Sequence, residues 1–217
     1  ASMSYRLTMQ GEEAGFGCDQ PAANKILTFQ KAVEDIRDAT DLLLKEKAQF
    51  RIDPNTIVIG GSSAGAEAVV HAAYWSDEDL LEDSPDLPDG FRYAGVISMA
   101  GALVDADLIT QETAIPTQIF HGTCDNLVPY ATAPHHYCSE GDAGYLMLDG
   151  GLTIANRLQE LGKPYYLVTG CTGGHEWAGK PLNDHVEEIV DFMTTDVLQG
   201  EFRQIHEKYE QGKDCST

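Results

Sequence analysis

Apolar residues along this chain fall into two alternating patterns. Met3–Leu7 is short and partly apolar and reads as a strand or its C-terminal end, and short runs rich in β-branched and aromatic residues stand at Thr56–Ile59, Tyr93–Ala100, Pro116–Gly122 and Pro164–Thr169. Such runs, bounded by Gly and Pro, read as buried strands. Between them apolar residues recur every three or four positions. Ile26, Leu27, Phe29, Val33, Ile36, Ala39, Leu42, Leu43 and Leu44 predict an amphipathic helix over Ile26–Phe50, with a shorter helical turn possible ahead of it. Ala-rich Ala64–Tyr74 predicts a second helix, Leu148–Leu161 a third and His185–Leu198 a fourth.

Polar, Gly- and Pro-containing stretches punctuate these elements. Ile52–Asn55 reads as a turn, residues 76–90 as an acidic surface loop, and 8–24 and 126–147 as loops that shape a pocket. The tail, 201–217, is polar and predicts a short fraying helix. Strands alternating with helices imply βαβ units. The expected fold class is therefore α/β, with a mostly parallel sheet covered by helices on both faces. The whole span 1–217 reads as one domain without internal repeats. Sites in such sheets lie at the C-terminal strand ends.

Composition narrows the function. Lys and Arg number 14 against 35 Asp and Glu, a formal net charge of -21. That field repels nucleic acid and anionic membranes, so neither is an expected partner. No apolar run reaches the length of a membrane span, and no secretory signal stands at the start. Localisation stays open between secreted, periplasmic and cytoplasmic. The five cysteines, Cys18, Cys124, Cys138, Cys171 and Cys215, are scattered and contain no C-x-x-C pair. Neither a metal site nor a dense disulfide scaffold is expected, and no histidine pair has H-E-x-x-H spacing. No cofactor is expected, since both G-x-G-x-x-G and the phosphate-loop motif are missing.

The candidate chemistry centres on Gly61-Ser62-Ser63-Ala64-Gly65, set between a predicted strand and a predicted helix. G-x-S-x-G on such a turn forces the serine outward and aims the next N–H, that of Ala64, at the same space. A serine needs a base, and the base needs a carboxylate to orient it. Asp125 follows the strand ending at Gly122, and His175 follows the strand ending at Thr169. The order Ser63, Asp125, His175 is that of a triad on this kind of sheet. Of the other histidines, His71 is expected to pack on its helix and His121 to support the turn before Asp125. His135 and His136 are candidates to line a pocket.

Gly61–Gly65, His121-Gly122-Thr123-Cys124-Asp125 with Val128-Pro129, and Gly174-His175-Glu176 resemble an α/β-hydrolase of the carboxylesterase/lipase type. Tyr5-Arg6-Leu7 and Phe50-Arg51-Ile52-Asp53-Pro54 resemble that group as well. The resemblance implies Ser63 as nucleophile, His175 as general base and then acid, Asp125 as its orienter, and Ala64 N–H as one oxyanion donor. It implies an acyl-enzyme route on a small-molecule carboxylic ester. A prolyl-oligopeptidase-like peptidase and a catalytically silent binding scaffold are the alternatives. Such esterases carry a His-Gly-Gly oxyanion loop before the Tyr-Arg-Leu strand, and this chain starts at that strand. The resemblance thus implies that the first strands and that loop are absent, and that an N-terminal fragment or second chain completes the sheet. Ser62, Tyr130 and Trp177, with Tyr137 and Tyr145, are the expected pocket walls. Cys124 and Cys171 are expected as free thiols, with a disulfide between them as the alternative.

Overall fold

The computed structural model describes residues 1–11, 13, 15–82 and 84–210. Its strands are β1 Val58–Ser62, β2 Gly95–Met99, β3 Ala102–Leu103, β4 Thr117–Gly122, β5 Thr132–Pro134, β6 Met147–Gly150, β7 Tyr165–Cys171 and β8 Gln204–Glu210. The α-helices are α1 Ala22–Lys45, α2 Lys47–Phe50, α3 Ala64–Tyr74, α4 Gly151–Glu160, α5 Pro181–Asp184 and α6 Val186–Asp191. A π-helical segment, Phe192–Leu198, continues α6.

The main sheet runs β1-β2-β4-β7-β8, with every neighbouring pair parallel. The expectation of a parallel sheet with helices on both faces holds. On one face α1, α3 and α4 bury Ile36, Val69, Val70, Ile154 and Leu158 against Val96, Ile119 and Leu167. On the other, Phe192 and Trp177 pack on Ile97, Phe120, Tyr166 and Val168. The central strands β2, β4 and β7 are buried along their whole length, which is why they read as continuous apolar runs. Helix α1 buries Phe29, Ala32, Val33, Ile36, Thr40 and Leu44, a stripe of three- and four-residue spacing. It starts earlier than expected, after Pro21, and breaks at Glu46 before α2.

Several expectations are corrected. Met3–Leu7 is not a strand: it has no regular structure, and among the described residues no strand pairs with it. It is tied to α1 instead, through Arg6 N–H and Nε–H donating to Asp35 at 2.7 and 2.8 Å. Residues 204–210 are strand β8 rather than helix, paired with β7 in full register. Their charged composition suits an exposed edge strand, which charges protect from further pairing. The rest of the expected tail, 211–217, lies outside the described residues, as does Cys215. The loop 126–147 contains strand β5, and β3, β5 and β6 form a small antiparallel sheet that the sequence did not reveal. Residues 147–150, at the expected helix start, belong to that sheet.

The cysteine expectation changes too. Cys18 and Cys138 form a disulfide. Cys171 is disulfide-bonded, and Cys124 is a free, exposed thiol, so the two do not pair. Among the described residues, no helix is long and apolar enough to cross a membrane.

Candidate active site

The turn between β1 and α3 places Ser63 at φ 53°, ψ -123°, a sparsely populated region for a side-chain-bearing residue. Holding it there costs roughly 1–3 kcal/mol. The surrounding backbone supplies the restraint. Ser63 N–H donates to Met99 O at 2.9 Å, and Ser63 O accepts from Ala66 and Glu67 N–H at 2.7 and 3.0 Å. Gly61 must be glycine, since a Cβ there would stand 2.1 Å from Gly65 O. Gly65 faces open space, with Tyr5 Oη 4.0 Å from where its Cβ would be. Steric need therefore explains the first glycine of the motif and not the last.

The loops after β4 and β7 are clipped together. Thr123 N–H donates to Gly170 O at 3.0 Å, and Cys124 N–H to Gly173 O at 2.8 Å. Gly122 allows this approach, because a Cβ there would meet Gly173 O at 2.4 Å. The clip presents Asp125, which is 1% exposed, to His175. Asp125 Oδ1 accepts from Leu127 and Val128 N–H at 2.9 and 3.1 Å. Its Oδ2 lies 2.8 Å from His175 Nδ1, and His175 Nε2 lies 2.7 Å from Ser63 Oγ. An ionised carboxylate can only accept, so Nδ1–H donates to it. Nε2 is then left as the acceptor of the serine hydroxyl proton.

The charge on Asp125 is well supported. Burial opposes it. Hydrogen bonds from His121, His175 and Leu127 N–H outweigh the burial and hold the carboxyl far below the usual carboxylate range. His121, as expected, braces this turn: its Nε2–H donates to Val128 O at 3.1 Å, with Asp125 Oδ2 at 3.5 Å.

His175 sits on a short 3-10 turn, His175–Ala178, seated by Trp177. The indole is fully buried and fills a slot formed by Gly170 and Gly173. Trp177 is therefore a buried support for the His175 turn and not a pocket wall. Tyr130 is likewise buried, its hydroxyl 2.8 Å from Thr169 Oγ1. Ser62 Oγ–H donates to Ala178 O at 2.6 Å, joining the elbow directly to the turn that carries His175. His135 is also buried, while His136 is half-buried and Tyr137 is exposed.

Ala64 opens α3, and the first N–H groups of a helix have no intrahelical acceptor. Its N–H is thus available as an oxyanion donor. Ala64 also lines a cavity of about 310 Å³, whose walls include Tyr5, Leu7, Met9, Phe16 and Phe29. Sequence reasoning missed a buried polar group behind the elbow: Lys25 on α1, Glu67 on α3 and His135. No motif marked it, since each residue lies within an ordinary helical or loop pattern. For metals, the described residues bring Cys18, Cys138 and Asp142 close enough to share an ion, but both sulfurs are consumed by the disulfide.

A family described as the alpha/beta hydrolase fold matches residues 27–140, more than half of the chain. The chain belongs to the alpha/beta hydrolase fold family. No curated protein sequence matches it. Among solved structures, this family member is similar to a truncated form of a carbohydrate esterase from gut microbiota. The identity is 16%, over 91% of this chain and 73% of that one, with a TM-score of 0.54. It is also similar to esterase PE8, at 18% identity over 77% of this chain, with a TM-score of 0.49. This chain spans 65% of the length of esterase PE8. A third likeness is to the Pyrococcus horikoshii acylaminoacyl peptidase, at 16% identity over 80% of this chain and 28% of that one, with a TM-score of 0.40. At 16% identity, the likeness to the carbohydrate esterase speaks to the fold alone. The family match spans Ser63 and Asp125 and ends before His175.

Proposed function

We propose that this alpha/beta hydrolase is a serine esterase that cleaves small carboxylic esters through an acyl-enzyme. One observation carries the reading: the continuous chain Ser63 Oγ, His175 Nε2, His175 Nδ1, Asp125 Oδ2, with links of 2.7 and 2.8 Å. In this reading Ser63 Oγ attacks the ester carbonyl carbon while its proton passes to His175 Nε2. Ala64 N–H donates to the developing oxyanion. The protonated His175 then gives its proton to the departing alkoxide, and the alcohol leaves. Water, deprotonated by the same nitrogen, attacks the acyl-Ser63 carbonyl; the bond to Ser63 Oγ breaks, His175 returns its proton to that oxygen, and the acid leaves. Asp125 keeps Nδ1 protonated throughout and stabilises the imidazolium. The apolar cavity beside Ala64 suits a small apolar group of the substrate.

The reading includes a completed sheet. No strand among the described residues pairs with the outer edge of β1. A cavity of about 460 Å³ lies along that edge, bordered by Ala1, Met3, Ile36, Leu43, Val58 and Ile59. Unpaired backbone in such a setting favours an added strand, supplied by an N-terminal segment or a second chain. Such a segment would also bring further oxyanion donors.

The test is labelling by a fluorophosphonate probe, on this protein and on Ser63→Ala, followed by p-nitrophenyl esters of increasing acyl length and an acetylated sugar. Labelling of the parent alone supports the esterase reading. If neither protein labels, even after an N-terminal extension is joined to it, the reading fails. An amide cleaved as fast as its matching ester would favour the peptidase alternative.

A further inference from the structure

Behind the elbow, three titratable side chains from separate segments meet out of contact with water. Lys25 of α1 is 0% exposed, Glu67 of α3 2% and His135 1%. Glu67 lies one helical turn beyond Ser63, and its N–H donates to Ser63 O. Its Oε1 stands 3.4 Å from His135 Nε2 and has no hydrogen-bond partner among the described residues. Lys25 Nζ donates to Gly144 O at 2.8 Å, and lies 4.0 Å from Cys138 Sγ, within the disulfide to Cys18. Burying charged groups is costly unless they are paired, hydrogen-bonded or held neutral.

What this cluster holds can be traced through the backbone. His135 is followed by two consecutive left-handed residues, His136 at φ 56° and Tyr137 at φ 53°. Side-chain-bearing residues adopt that region only when surrounding contacts enforce it. His135 N–H donates to Leu146 O, and His136 N–H donates to Leu127 O, both at 2.8 Å. Leu127 N–H in turn donates to Asp125 Oδ1 at 2.9 Å. A closed circuit results: Ser63, Glu67, His135, the His136–Leu127 link, Asp125, His175 and Ser63 again.

We propose that Glu67 and His135 are positioning residues, whose buried contact locks the segment after the acid turn against the nucleophile helix and so sets the Asp125–His175–Ser63 alignment. The proposal rests on the serine-hydrolase reading of those three residues. Neither positioning residue reaches the reacting atoms. The contact is one between uncharged partners at neutral pH. Burial, reinforced by the charge of Asp125 and opposed by that of Lys25, raises the Glu67 carboxyl to about 8. Burial, with the charges of His136 and Lys25, lowers His135 to about 2. Tyr5 and His71 also face the cluster. Burial, and the Glu67 charge when that carboxyl ionises, raise the Tyr5 hydroxyl, and His71 Nδ1–H donates to Glu67 O at 2.6 Å.

The experiment compares Glu67→Gln, Glu67→Leu and His135→Phe. Glutamine keeps a neutral polar group of the same shape. Leucine removes the polar contact at similar volume. Phenylalanine keeps a ring between Phe16 and Phe29, which flank His135. Expected for Glu67→Leu and His135→Phe is a fall in kcat of about ten- to a hundredfold on an activated ester with KM unchanged, the scale for a misplaced catalytic group. Glu67→Gln should stay within about threefold of the parent, since the polar contact survives. The second readout needs no turnover: the low-field proton resonance of His175 Nδ1–H, which should shift or broaden in the two disruptive variants and persist in Glu67→Gln. If the parent fails to label with fluorophosphonate even after an N-terminal extension is joined to it, the esterase reading falls, and the resonance still decides the positioning role. A folded Glu67→Leu with parental kcat and an unchanged resonance overturns the proposal. So does a Glu67→Gln as impaired as Glu67→Leu. If Glu67→Leu does not fold, His135→Phe carries the test under the same criteria.

Discussion

Gly170 and Trp177 share a space that has no room for one more carbon. A Cβ on Gly170 would stand 1.8 Å from the indole Cε2, and one on Gly173 2.2 Å from its Nε1. The indole fills the notch that these glycines leave, and the turn it anchors carries His175. Gly170→Ala should therefore displace the turn. The expected result is a destabilisation of about 1–3 kcal/mol or more from overpacking, read in urea unfolding. Fluorophosphonate labelling of Ser63 should slow by about a hundredfold as His175 leaves its place. A variant that labels at the parental rate would show that Trp177 does not seat the histidine.

Asp125→Asn changes which ring nitrogen of His175 carries the proton. The amide can donate to Nδ1, which would leave Nε2 protonated and unable to take the serine proton. The fold should survive, because Oδ1 can still accept from Leu127 and Val128 N–H. The expected kcat falls on the order of 10⁴, with the circular dichroism spectrum unchanged. A loss under tenfold would remove Asp125 from the mechanism.

Asp125 also links stability to acid. Its folded carboxyl titrates below its ordinary range, so its contribution is present above about pH 4 and is lost as pH falls toward the folded value. The wild-type protein should lose stability below pH 4 more steeply than Asp125→Asn, measured by urea midpoints across pH.

Glu67 has the opposite sign. Its folded value is raised from 4.5 to about 8. The folded state therefore holds a proton that the unfolded state releases above about pH 4.5. The stability tied to that proton is complete below pH 4.5 and is lost as pH rises to about 8, a change on the order of a few kcal/mol. Lys25, His135, Asp125, Tyr5 and His71 face the same group. His71, lowered to about 4 by burial, gives a slope of the other sign below pH 6.5. Comparing Glu67→Gln with the parent isolates the carboxyl. The variant should gain stability relative to the parent between pH 5 and 8, and parallel curves would refute the buried neutral acid.

The Cys18–Cys138 bridge closes a loop across a sequence separation of 120. Chain-entropy arguments give such a closure about 4–5 kcal/mol. Replacing both cysteines with alanine should lower the urea midpoint accordingly, whereas alkylation of the exposed Cys124 should leave it unchanged. Equal midpoints for the double variant and the parent would mean that Lys25 and the backbone links around Gly144 already hold these loops together.

The fold and the candidate triad were legible for different reasons. Strands β2, β4 and β7 are buried on both faces, so their apolar runs stand out. Helix α1 carries clear periodicity, and α3 an Ala-rich, helix-favouring composition. The elbow is a local motif, and Asp125 and His175 each follow a legible strand. Where the reading failed, the deciding partner lay far away in sequence. Met3–Leu7 reads as a strand, but among the described residues no strand pairs with it. Gln204–Glu210 looks helical and polar, yet it completes a ladder on β7. Trp177 and Tyr130 looked like pocket walls, and packing put them in the interior.

By itself, then, the sequence determined what is encoded locally. Periodicity fixed the order and type of most elements, and the Gly–Ser–Gly turn and the strand ends named Ser63, Asp125 and His175. The tertiary structure alone decided which side chains lose their water. It buried Lys25, Glu67 and His135 together, paired Cys18 with Cys138 across the chain, and turned Gly170 and Gly173 into a seat for Trp177. Burial depends on what packs from distant segments, and it is burial that sets the protonation of Glu67 and the placement of His175.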